Sequence, residues 1–355
     1  MCTRPATLVI LFRWSVSVLL TMVAAFAQLP VRGPGDDLKR APLHPGAAPA
    51  NSPLNRPVLG YVAWSAPLEV RGILGVPGAA VYSGPLVLPA GIERVHLAPS
   101  HAYALVEFSD RQISVLPLNG LSVGAVVAIN GALPVADLVA FSPSGLSAVL
   151  FSGSAGRLQV VTGLPDKPRI AQDLDATALP ELPSSVAISD DASSVLLSSL
   201  AAVHRLLPDG SARVVVTVQS GASLAFIPKS ANAAIADRAA GSVYLFDAQT
   251  GGLFPNTISA GPTTVGEVSA SSDGEMLFIT DADGRRIWSL HLLSGEVRSL
   301  ELPARPVIVD RLKNADSFLV SSEPGQPGWI LYYQSTGMRA VFIPTAARVA
   351  RRAPE

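Results

Sequence analysis

The sequence predicts an all-β chain closed into a β-propeller of four-stranded blades, and three observations predict it. The first is one stretch, residues 266–300, that carries four strand signals in a row. Residues 268–271 alternate up to the turn Ser272-Asp273-Gly274, 276–280 is an apolar run, and Asp281-Ala282-Asp283-Gly284 turns the chain again. Residues 287–290 and 297–300 then flank Ser294-Gly295. Short apolar or β-branched runs bounded by Asp, Ser and Gly are hairpin signals, because those residues accept the positive φ of tight turns. The second observation is recurrence: comparable first strands begin at Val95, Val139, Val186, Leu224, Val268 and Val309, spaced 38 to 47 residues apart. That period belongs to propeller blades and exceeds those of leucine-rich and ankyrin repeats. The third is composition: 49% apolar residues, only 15% charged, with 29 glycines and 30 prolines, describes a large core in a chain that turns often.

In chain order, Arg4 and Arg13 precede the apolar run 14–26, and Ala25-Phe26-Ala27 places small residues where a signal peptidase reads. Residues 1–27 are therefore expected to be a secretory signal peptide, and the protein secreted or periplasmic. The run falls short of the roughly 20 residues that cross a bilayer, so no stable membrane span is expected in the mature chain. Residues 28–56 are rich in Pro, Gly and Ala without apolar periodicity and read as a linker.

The propeller is expected over 57–345. Second strands follow the six first strands at near-constant distance (104–108, 147–151, 194–198, 233–237, 276–280, 318–322), as do third strands at 112–116, 157–161, 202–206, 242–246, 286–290 and 329–333. Fourth strands are least regular, as expected at a solvent-facing edge. Residues 58–88 also carry strand signals but do not fit the four-part register. The favoured reading is six complete blades with this piece latching the ring, and seven blades is the alternative. Residues 346–355 form a basic tail.

The turn sequences Phe141-Ser142-Pro143-Ser144-Gly145 and Ser271-Ser272-Asp273-Gly274-Glu275, with the strand Ser242-Val243-Tyr244-Leu245-Phe246-Asp247, resemble those of the bacterial YVTN-type, WD40-like propellers over about residues 92–344. The Trp-Asp dipeptide of eukaryotic WD40 repeats and the Tyr-Val-Thr-Asn tetrad are absent. The resemblance implies architecture first. It also implies a minority activity, a hydrolase or lactonase holding a divalent cation by carboxylates at the channel mouth.

The residues themselves carry no nucleophile elbow, HExxH, phosphate loop or Rossmann glycines. The only cysteine, Cys2, lies in the segment to be removed, which excludes disulfides, thiol catalysis and cysteine-ligated metals in the mature chain. Loss of Arg4 and Arg13 leaves 24 basic residues against 27 acidic, so nucleic acid is not an expected partner. No cofactor is expected. His96, His101, His204 and His291 fall at different places in their repeats and read as satisfied or solvent-facing imidazoles.

Propeller geometry nominates one face. Loops entering first strands and loops between second and third strands meet around one mouth of the axial channel. That face collects Glu93, Asp137 and Glu267 from strand entries, and Asp110, Arg111, Asp237, Arg238, Asp281, Asp283 and Arg285 from the inter-strand loops. The expectation is a monomeric binding or scaffold module that offers this face to a protein or glycan.

Overall fold

A computed structural model of the chain describes residues 56–76, 78–177, 179, 181–207, 209–254, 264–313, 317–321, 328–334 and 337–344. The expected signal peptide, the tail and all but the last residue of the expected linker lie outside the described residues. Among the described residues there is no helix, hence none long and apolar enough to cross a membrane.

The described residues form seven antiparallel sheets, each made of strands consecutive in sequence. The seven first strands are Val58–Ser65, Ile92–Leu97, Leu138–Phe141, Ser185–Ile188, Ala222–Phe226, Val265–Ala270 and Ile308–Arg311, defining blades 1 to 7. Blades 3 to 7 have four strands in simple meander order. The outer edge of blade 2 is split into two short pieces, Ser122–Val123 and Val127–Ala128, that both pair with Ile113–Asn119.

Burial along the strands follows from this arrangement. The second strand of blade 3, Ser147–Ser152, is buried at all six positions because neighbouring blades cover both of its faces. Its outer strand, Arg169–Asp175, alternates between exposed and half-buried, as an edge with one dry face should.

The expected count of six blades is corrected to seven. Residues expected to latch the ring instead form their own three-stranded sheet, Val58–Ser65, Leu68–Val76 and Ala79–Pro85. The physical reason is turn length. In blade 1, Ser65 pairs directly with Leu68, so two residues make the first hairpin, whereas in blade 3 Phe141 pairs with Ala148 across six. Without the longer Asp/Ser/Gly turn and a fourth strand, this blade loses phase with the template.

Seven hydrophobic clusters hold the sheets, one between each adjacent pair. Tyr61, Val70, Ala104 and Val106 join blades 1 and 2, and Phe278, Ile287, Phe318 and Leu331 join blades 6 and 7. The last seam closes the ring: Leu59, Val62, Ile73 and Tyr82 of blade 1 pack on Leu312, Leu319, Ile330 and Ile343 of blade 7. No strand is shared across it. Backbone and side chain add to the packing there, as Lys313 N–H donates to Leu59 O at 2.9 Å and Gly78 N–H donates to the Tyr332 hydroxyl at 3.0 Å.

The turn Ser271-Ser272-Asp273-Gly274 shows why its residues recur. Asp273 Oδ1 accepts the Glu275 N–H at 3.0 Å, and Gly274 has φ of 80°. A Cβ on Gly274 would stand 2.7 Å from the Pro228 carbonyl oxygen of blade 5, so glycine serves both backbone angle and docking to the neighbouring blade.

Candidate functional site

First strands line the axis, and one position in them stitches blades together. Arg94, Ser185, Ser223 and Glu267 occupy equivalent places in blades 2, 4, 5 and 6, each reaching the backbone of the next blade. Arg94 Nη1 donates to Ala136 O at 2.9 Å, and Ser185 Oγ donates to Ala222 O at 2.6 Å. Ser223 Oγ accepts Val268 N–H at 3.0 Å, and Glu267 Oε2 accepts Val309 N–H at 3.3 Å.

Inside the first strands lies an axial cavity of about 620 Å³ touched by all seven blades. Val62, Val95, Val139, Val186, Leu224 and Val309 make much of its wall apolar; Glu267, Asp310, Arg238, Arg311 and His96 are its charged or titratable members, with His101 at its base.

One end is barred. The Arg311 guanidinium of blade 7 donates to Pro143 O of blade 3. Those blades stand nearly opposite in a seven-membered ring, so this contact crosses the axis. A smaller cavity of about 200 Å³ lies beyond it among turn residues Pro99, Ser100, Ser144 and Ser272. Burial pushes the Arg311 guanidinium below its ordinary pKa, opposed by the charge of Asp190.

Two carboxyls share the wall between blades 6 and 7. Burial, then the neighbouring charge of Asp310, pushes Glu267 up to about 7, against the opposing pull of Val309 N–H and Arg238. Burial alone pushes Asp310 up to about 6. Asp310 is open to water within the channel while protein surrounds it on all sides, which is the situation of a group in a channel wall.

A carboxyl whose folded pKa exceeds its unfolded value contributes stability below the unfolded pKa and loses it as pH rises through the folded one. Glu267 therefore weakens the fold progressively from about pH 4.5 to 7. Glu267→Gln keeps an acceptor for Val309 N–H and removes that loss. Relative to the native chain it is expected to gain about 1 kcal/mol at pH 8 and nothing at pH 4, after discounting for channel water, by urea unfolding at the two pH values.

The structure disperses most of the nominated face. Asp110 Oδ1 caps its own turn through Gln112 N–H at 3.2 Å, and Asp281 Oδ1 does the same with Asp283 and Gly284 N–H at 3.2 and 2.9 Å. Asp237, 2% exposed, accepts from Gln219 N–H at 3.0 Å and from Ala239 and Ala240 N–H at 3.1 Å each. Asp137 Oδ2 holds Gly153 N–H at 2.7 Å, and Asp283 Oδ2 accepts the Thr264 hydroxyl at 2.6 Å. Arg285 lies 3.8 Å from Glu301 in an exposed pair.

Glu93 is exposed at an irregularity between Ile92 and Arg94, and Arg111 is exposed at φ of 66°. The paired motifs Asp110-Arg111 and Asp237-Arg238 thus diverge: Arg111 faces solvent, whereas Arg238 lines the channel and donates to Gly266 O at 3.0 Å.

Of the ten nominated residues only Glu267 and Arg238 line the channel together. Asp310 and Arg311 join them without having been nominated. Their signal was a charged pair inside a first strand whose counterparts elsewhere are mostly small or apolar. His96, in that same strand position in blade 2, donates to Glu107 Oε1 at 2.9 Å, and Arg94 stands 3.6 Å from Glu107 Oε2. Among the described residues no group of three or more His, Cys, Asp or Glu side chains is placed to hold a metal ion.

No protein-family model and no curated protein matches the chain. Among solved structures, a chain of Kuenenia stuttgartiensis hydrazine synthase is similar to it with 14% identity and a TM-score of 0.49, over 70% of this chain and 79% of that one.

Proposed function

We propose that the chain is an exported binding or scaffold module that offers one end of the propeller to a protein or glycan. The observation that carries this reading is the inequality of the two ends. Arg311 bars the channel at the turn end, and the opposite end, where Ser184 and Arg238 line the wall, is the entrance. Glu93, at the start of its first strand, and Asp110, Arg111 and Arg285, around the turns between second and third strands, are exposed at that end. A ring of sheets locked by seven apolar seams keeps such loops fixed relative to one another, which lowers the ordering cost of binding. The fold alone does not assign a chemistry. The export reading rests on residues 1–27, and the turn motifs support a place near the YVTN-type propellers.

The test is capture from an envelope extract with the native chain and with Glu93→Lys/Arg111→Glu. Both side chains are exposed, so the unfolding temperature should stay within about 2 °C. A partner captured by the native chain and lost with the double variant is the expected result. Equal capture by both would remove the entrance face from the proposal.

A further inference from the structure

We propose that the channel binds a small primary alkylammonium, whose cation sits at the Glu267 and Asp310 carboxyls and whose hydrocarbon lies on the apolar first strands. This stands apart from any partner on the loop face. The cavity of about 620 Å³ falls within the roughly 300–1,000 Å³ of small-molecule sites. Arg311 crosses the axis beyond Asp310.

The case rests on what Asp310 does not do. At its position blades 2 to 6 carry His96, Ala140, Ala187, Ala225 and Ser269, and among the described residues no stitch to a neighbouring blade depends on the carboxyl. Among the described residues Asp310 has no hydrogen-bond partner for its side chain, and Glu267 uses only Oε2. Asp310 is exposed to channel water and gives no structural return. A donor of several N–H bonds carrying positive charge, as a primary ammonium is, would replace that water at both carboxyls.

The cations already present are committed. Arg238 donates to Gly266 O beside Glu267, and Arg311 is turned away to Pro143 O. His96 is held by Glu107, and burial keeps His101 neutral with a pKa near 4. Two carboxylates against hydrocarbon walls are too few oxygens for calcium, which takes six to eight. The walls suit an alkyl chain.

Protons compete for the same seat. Near pH 5 both carboxyls are largely protonated, and at pH 8 both are ionised, so affinity should rise between those values.

The experiment is calorimetric titration of the folded chain with n-hexylammonium chloride at pH 8 and pH 5, with hexanol and hexanoate as probes of the same length. The expected result is saturable binding of the ammonium at pH 8, about tenfold weaker for Asp310→Asn and at pH 5, and none for hexanoate. Arg213→Glu, exposed on the outer strand of blade 4, should bind as the native chain does. Asp310→Asn removes a destabilising charge, so it should fold. Absence of binding at pH 8, or hexanol binding as well as hexylammonium, or undiminished binding by Glu267→Gln/Asp310→Asn, would each overturn the proposal.

Discussion

Replacing His101 by alanine is expected to lower the free energy of unfolding by about 3–5 kcal/mol at pH 7.5, read from urea denaturation. The imidazole is 2% exposed and stands where three blades meet. Its Nδ1 accepts Tyr61 N–H of blade 1 at 3.1 Å, so Nε2 carries the proton and donates to Arg311 O of blade 7 at 2.7 Å. Alanine would leave both backbone groups buried without partners, at about 1–3 kcal/mol each, beside a cavity. His101 also carries a pH signature. Burial, more than the nearby Lys313 and Arg311 charges, holds it down to about 4. A base with a depressed folded pKa gives its full contribution above about 6.5, and loses it as pH falls towards 4. The alanine variant should therefore lack the acid-side loss of the native chain in that window. Glu267 acts in the opposite sense over nearly the same range, so the native profile between pH 4.5 and 7 is flatter than either variant's.

Phe278→Ala is the second large effect, about 3–5 kcal/mol of lost stability. Phe278 is fully buried in the second strand of blade 6; its ring centroid lies 4.3 Å from that of Phe318 in blade 7 and 6.0 Å from that of Tyr333. The substitution empties the seam between two sheets, and neither sheet can fill the space without moving relative to its other neighbour. Phe342, 51% exposed on an outer strand, provides the comparison. Phe342→Ala should cost under about 1 kcal/mol by the same measurement, since most of that ring is already in water.

Most of the blade pattern was legible because turn chemistry and strand length repeat locally. The run Met276–Asp281 and its counterpart Ser147–Ser152 are apolar or small throughout, bounded by Asp- or Ser-containing turns, and the observed strands differ from the expected ones by one or two residues at their ends. Blade 1 was hidden because a two-residue turn at Ala66-Pro67 replaced the longer one on which the phase was set. The site was less legible for a different reason. Asp237 and Asp281 look like binding residues in a sequence, but an aspartate in a tight turn finds backbone N–H groups two or three residues on, as both do here. Asp310 lies inside a first strand, and only the ring turns it towards the axis. Whether a side chain serves its own loop or faces the channel depends on contacts between blades, which no local pattern carries.

The seam between Ile343 and Val58 has the same construction as the other six, side chain against side chain with every sheet complete in itself. The ring therefore has no privileged starting point. A circular permutant in which a linker joined residue 344 to residue 56, with new termini cut between Asp175 and Ser185, would enclose the same seven interfaces. Its fold should survive at little more than the entropic cost of the added linker.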